Sequence, residues 1–386
     1  MKSRSILYLA FMFLCTVMTF EACVHKEEPI LDDDKYSIDL KWNKAYEIQT
    51  KQLAQIGFVW ALSFLGADLP KGSIDEAIVW ENNIMQVDFY KLGFNSAGLE
   101  ALSKLLYLFK QSEEYKKTGA IDLGRFIALT LNSSNHYYAI TGVANNFSQF
   151  KEGKKFDAKQ FAATNSKISL HDRIIDLPDS TNLNYLEDAY VANECDRKIK
   201  DGAYRITSFE VLEQMQNGQL RFAIYDTTGV ILAAAKGPAG KPANCLWCHE
   251  INIQPLFFEQ IDEPGFYGAD EFNKIVATKT TKLEAYRNTL KSDLDFTRKQ
   301  DHTYTELLYI SFMEPSAERL ALEWGITLES VNEKLKGIPT HIHHEFGYLG
   351  NLYYRDEIEV FAPFSSIRPP SSARNKSQYE PDLIKN

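Results

Sequence analysis

The chain has 386 residues, 45% hydrophobic and 24% charged, with 42 Lys and Arg against 52 Asp and Glu. That apolar fraction excludes a wholly disordered chain, and a net charge of −10 offers no basic surface, so no nucleic-acid partner is expected. Five cysteines over this length are too few for a disulfide scaffold.

At the N-terminus, Lys2 and Arg4 lead into an uncharged apolar run from Ile6 to Phe20. The run falls short of the roughly 20 residues a helix needs to cross a bilayer, so residues 1–22 read as a signal peptide. It stops before Glu21-Ala22-Cys23. This arrangement resembles a bacterial lipoprotein signal, and the resemblance implies that Cys23 is lipidated and heads the mature chain. Glu21 departs from the commoner pattern. Residues 23–37, with Lys26-Glu27-Glu28 and Asp32-Asp33-Asp34, read as a solvated acidic tether. Lys26-Glu27-Glu28 is also similar to a surface-export signal of some Gram-negative lipoproteins; a plain acidic linker is the alternative. The expected location is the outer membrane or cell surface of a Gram-negative bacterium, lipid-anchored and either periplasm-facing or surface-exposed. The acyl chains supply membrane affinity.

Residues 38–140 read as a helical region. Trp42, Tyr46, Leu53, Ile56 and Trp60 fit a helix that stops at Gly66, and Ser96 can cap another that ends by Gly119. Residues 141–260 form an α+β region, where Arg221–Tyr225 and Val230–Ala234 flank Asp226-Thr227-Thr228-Gly229 as a β-hairpin. Residues 261–362 return to mainly helical pattern. Ser316 to Trp324 closes at Gly325, and Thr327 caps a helix that closes at Gly337. A Pro/Ser-rich flexible tail follows over 363–386. The fold class is α+β: a helical N-terminal part, a β-hairpin-containing middle and a helical C-terminal part.

The hairpin leads into Cys245-Leu246-Trp247-Cys248-His249. Cys-x-x-Cys-His is the attachment signature of c-type haem. Two thiols three positions apart on one helical turn can each form a thioether to a haem vinyl group. The next residue then offers its imidazole to the iron. In these residues the chain resembles c-type cytochromes. The resemblance implies one covalent haem c, with Cys245 and Cys248 as anchors and His249 as an axial ligand. A hairpin and a Gly/Pro loop precede the motif where small cytochromes have a helix, so their standard fold is not implied. Three other readings stand beside haem: a redox dithiol, half a zinc site and a structural disulfide. Cys195 would be left as a buried thiol.

The sixth iron position decides the chemistry. Met313, in Ser311-Phe312-Met313-Glu314-Pro315, is the expected distal ligand, with core packing as its alternative. His341, His343 and His344 form a rival cluster for haem ligation, distal acid–base chemistry or zinc. His341 and His343 would share one strand face, and His302 is a further candidate. The expected function is electron transfer by a membrane-anchored single-haem cytochrome, working with a redox partner protein or a small-molecule electron donor or acceptor. The alternatives are a peroxidase-like haem oxidoreductase with an open distal site, and a surface binding lipoprotein whose Cys pair is only a disulfide.

Overall fold

A computed structural model describes residues 33–167, 169–182, 184–233, 241–253, 255–372 and 379–385. The signal peptide, Cys23 and most of the tether lie outside the described residues. No described helix is long and apolar enough to cross a membrane.

In chain order the main elements are β1 (Ser37–Lys41), α1 (Lys51–Phe64), β2 (Ile78–Glu81), β3 (Ile84–Asp88), α2 (Ser96–Gln111), β4 (Ile121–Asp122), α3 (Leu123–Ile127) and α4 (Ser134–Thr141). Then come β5 (Phe161–Ala163), β6 (Arg173–Asp176), β7 (Ala189–Cys195), β8 (Ile206–Gln214) and β9 (Leu220–Asp226). The remainder is helical: α5 (Pro242–His249), α6 (Ala269–Arg287), α7 (Thr303–Met313), α8 (Ala317–Trp324) and α9 (Leu328–Lys334). The fold is α+β, with helices toward both ends.

The N-terminal part is not helical throughout. A four-stranded sheet of order β2-β3-β1-β4 runs through it, with β1 antiparallel to β3 through Ile38↔Val87 and Leu40↔Met85. These strands are four or five residues long or shorter and lie between helices, so their two-residue alternation is easily lost in a longer helical window. Asn82, left-handed at φ 52°, makes the tight β2–β3 turn that such strands need. Trp42 and Tyr46 precede α1, because Thr50 is its cap and accepts a hydrogen bond from the Leu53 amide at 3.2 Å. Trp42 instead meets Trp80 edge-on. Asn95, one residue before Ser96, caps α2. Ser112 ends that helix in extended backbone and caps a short one that reaches Gly119.

The second sheet is a five-stranded antiparallel meander, β5-β6-β7-β8-β9. The turn at Asp226–Gly229 forms, with Asp226 Oδ1 accepting from the Thr228 and Val230 amides. Its second arm is a single bridge from Ile231 to Tyr225, and the ladder partner of β9 is β8. In the C-terminal part, Ser316 caps α8, left-handed Gly325 closes it, and Thr327 caps α9.

Helix α7 lies where two glycines admit it. A Cβ at Gly57 would fall 2.6 Å from the Tyr304 backbone carbon, and one at Gly124 would overlap the Phe312 side chain. Thr305 Oγ1 donates to the Gly57 carbonyl at 2.7 Å. At the end of α7, the Phe312 ring is overlain by three guanidinium groups, Arg355 at 4.1 Å, Arg125 at 5.0 Å and Arg319 at 5.5 Å. All three are buried. Arg355 grips Glu323 as a fork at 2.7 and 2.9 Å, Arg319 contacts Asp122 at 2.9 Å, and Arg125 contacts Glu114 at 2.8 Å and Glu359 at 2.9 Å. Burial alone would raise the Glu323 pKa, but Arg355, Arg319 and Arg125 outweigh it and hold it at about 2.

Residues 365–372 and 379–385 pack onto this body. Arg125 donates to the Ile367 carbonyl, Asn132 to the Ser371 carbonyl, and the Leu383 amide to His136 Nε2. Lys241, fully buried, bonds Glu380 at 2.8 Å and the carbonyls of Asn132 and Ser371.

Gly124→Ala should lower stability by about 1–3 kcal/mol in denaturant unfolding, because overpacking against Phe312 exceeds the roughly 0.5–1 kcal/mol that Ala gains in a helix. Glu323→Gln should cost about 3–5 kcal/mol at neutral pH by leaving buried guanidinium charge uncompensated. The folded pKa of Glu323 is depressed, so its contribution is complete above the usual carboxylate range and fades as pH falls toward 2. The gap between the variant and the parent should therefore close on acidification; a gap constant with pH would exclude a charge origin.

Candidate functional site

The Cys-x-x-Cys-His segment is helical. Pro242 at the first helical position sets the start of α5. Glu250, at φ 55°, ends it, and its amide still bonds the Leu246 carbonyl. The back of α5 is fixed by Trp247, whose ring stacks on Tyr309 of α7 at 5.7 Å, and by Leu246, buried in the core.

The front of α5 faces a small, mostly apolar cavity of about 120 Å³. Cys245 and His249, one turn apart, both line it. One face of the five-stranded sheet forms its floor: Ile175 of β6, Tyr190 and Ala192 of β7, Glu210 and Leu212 of β8, and Phe222 of β9. The register explains the grouping, since Ile175 pairs with Ala192, Ala192 with Glu210, Tyr190 with Leu212 and Leu212 with Phe222. Small Ala163 and Ala192 leave room that Phe257 and Phe272 bound. The lining is mostly apolar.

His249 lies against Phe222 at 5.5 Å, and its Nδ1 is buried without a hydrogen-bond partner. Burial, then the Arg173 charge, lowers its pKa to about 4. The ring is therefore neutral at physiological pH, the form that ligates a metal. Burial, then Glu210, pushes the Cys245 thiol well above its ordinary value. A redox dithiol needs the opposite shift. Cys248 is exposed, and neither it nor Cys245 is in a disulfide. Among the described residues no three His, Cys, Asp or Glu side chains are grouped to hold a metal ion. The cavity lining thus holds one imidazole and one thiol, while Cys248 lies exposed on the same helix outside that lining.

The other candidates lie elsewhere. Met313 is buried in the core with Tyr309 and Phe312 and is not in the cavity lining. His341 is not on a strand: it makes one bridge to Leu352, sits 2.7 Å from Glu314 Oε2 and stacks on Tyr354. His343 is buried, its Nδ1 accepting the Glu345 and Phe346 amides, so it faces back into its own turn. His344 is exposed beside Glu345. His302 donates from Nδ1 to the Lys299 carbonyl, meets Trp60 edge-on and comes within 4.0 Å of Glu250. Cys195 is buried, its thiol raised to about 11 by burial and then Asp172. Sequence reasoning missed Tyr190, Arg173 and Glu210; only the alternation along β7 and β8 could have placed them on one face. No family model, curated protein or solved structure matches the chain.

With its thiols unmodified, the chain should react with a thiol reagent at Cys248 first, at Cys245 more slowly, and at Cys195 only on unfolding. Peptide mapping after timed labelling reads this order, and equal rates at Cys245 and Cys248 would contradict it.

Proposed function

We propose that the chain is a single-haem c-type protein of the bacterial envelope. The observation that carries this reading is that Cys245 and His249, members of one attachment motif, line the same apolar cavity. Bound haem supplies a one-electron Fe(III)/Fe(II) couple, so the primary activity is electron transfer with a protein or small-molecule partner. The chain's own residues supply the rest. Cys245 and Cys248 anchor the group. His249 presents a neutral imidazole. Phe222, Leu212, Phe257 and Phe272 keep water from the group, and such burial sets its potential. Cys23 tethers the protein through lipid to the outer membrane.

A second reading, a haem oxidoreductase with an open distal side, is favoured by one observation. His249 is the one His or Met in the described cavity lining, so no second imidazole or thioether of the described lining faces the group there.

Exported together with a haem-attachment system, the protein should carry one haem that survives acid–acetone extraction and denaturing gels. Replacing both Cys245 and Cys248 by Ser should abolish that covalent haem. Cys23→Ser should move the protein from the detergent phase to the aqueous phase. A parent protein free of covalent haem would refute the haem reading, whatever its location.

A further inference from the structure

The π-helical turn Ala128–Asn132 and α4 after it hold residues 379–385. Ser133 Oγ and Asn135 Nδ2 donate to the Pro381 carbonyl at 3.1 and 3.2 Å. The Ser134 backbone amide donates to Glu380, and the Leu383 amide donates to His136 Nε2 at 2.9 Å. We propose that this segment is a pH-sensitive strap, released from α4 and from the start of α5 when His136 takes up a proton.

The geometry fixes the protonation state of the docked ring. His136 Nδ1 lies 2.6 Å from the Leu129 carbonyl, which only accepts, so Nδ1 carries the hydrogen. The Leu383 amide only donates, so Nε2 is bare. A second proton would set two N–H groups against each other in a fully buried place, where an unpaired charge is costly. The ring stays neutral while the segment is docked, or the segment leaves.

The surrounding groups act on this balance with different signs. Burial lowers the His136 pKa and outweighs the Leu129 bond and the Asp382 charge, which raise it. Glu380 pairs with Lys241 at 2.8 Å; burial raises the Glu380 pKa, so its protonation favours docking and opposes His136. Tyr137 and Tyr138 are pushed up by burial and stay neutral in acid. Arg221, bonded to the carbonyls at the far end of α4, is held by Glu213. On α2, which also packs on α4, Glu100, Lys104 and Lys110 are exposed or half-buried. Because the docked ring has the lower pKa, the released form binds more protons. Docking through His136 therefore weakens as pH falls below the ordinary histidine value of about 6.5.

Amide hydrogen exchange of the full chain, corrected for the intrinsic pH dependence of exchange, reads the strap in peptides covering 379–385. From pH 7.5 to 5.5 its exchange should rise several-fold, up to about tenfold for one pH unit below the free histidine value, while β7 and β8 stay protected. His136→Gln keeps an acceptor for the Leu383 amide but cannot take the proton, and it should lose the rise. Exchange of the strap that is flat over this range in the parent, or a rise that survives in His136→Gln, would overturn the proposal. If the variant does not fold, the parent ring decides by NMR. His136 should titrate below about 6.5 with Nδ1 protonated, and titration at or above that value would overturn the proposal equally.

Discussion

Three guanidinium groups around the Phe312 ring hold the molecule together. Arg125, Arg319 and Arg355 come from three separate helical segments, and each is both buried against the ring and paired to carboxylate. Burying so much charge is repaid only when geometry and hydrogen bonding are complete. Here Glu323 takes a fork from Arg355 and the Phe312 carbonyl takes two further donors. The cluster fixes the register of α7. One turn earlier on α7, Tyr309 stacks on Trp247, so the position of the Cys-x-x-Cys-His helix follows from an ionic centre that does not line the cavity.

The cavity belongs to the sheet as much as to the helix. Antiparallel pairing brings alternate residues of β6 to β9 onto one face, and α5 lays Cys245 and His249 over it. Separating these roles is useful chemically. The helix sets the spacing of Cys245, Cys248 and His249, while the sheet sets polarity and room on the rest of the surface. Substitutions at Ala192 or Leu212 can therefore reshape the cavity without touching Cys245 or His249.

What could be read from the sequence was local. The caps at Ser316 and Thr327 and the stop at Gly325 work through atoms within a few residues, and the attachment motif lies within one helix. The short strands of the N-terminal sheet were hidden because Ile38, Leu40, Met85 and Val87 become one pattern only after β1 and β3 pair. The separate surroundings of the clustered histidines were hidden for a related reason. Its members look alike in sequence, yet His341 is drawn to Glu314 and His343 to the turn that follows it. Tyr190 gave no sign at all, since nothing along β7 says that its hydroxyl lacks a partner.

Lys241 immediately precedes the motif helix, and its ammonium is neutralised by Glu380, 139 positions downstream. The bond makes the region around the thiols sensitive to residues synthesised much later. The start of α5 is therefore complete only once the C-terminal segment around Glu380 has packed against it.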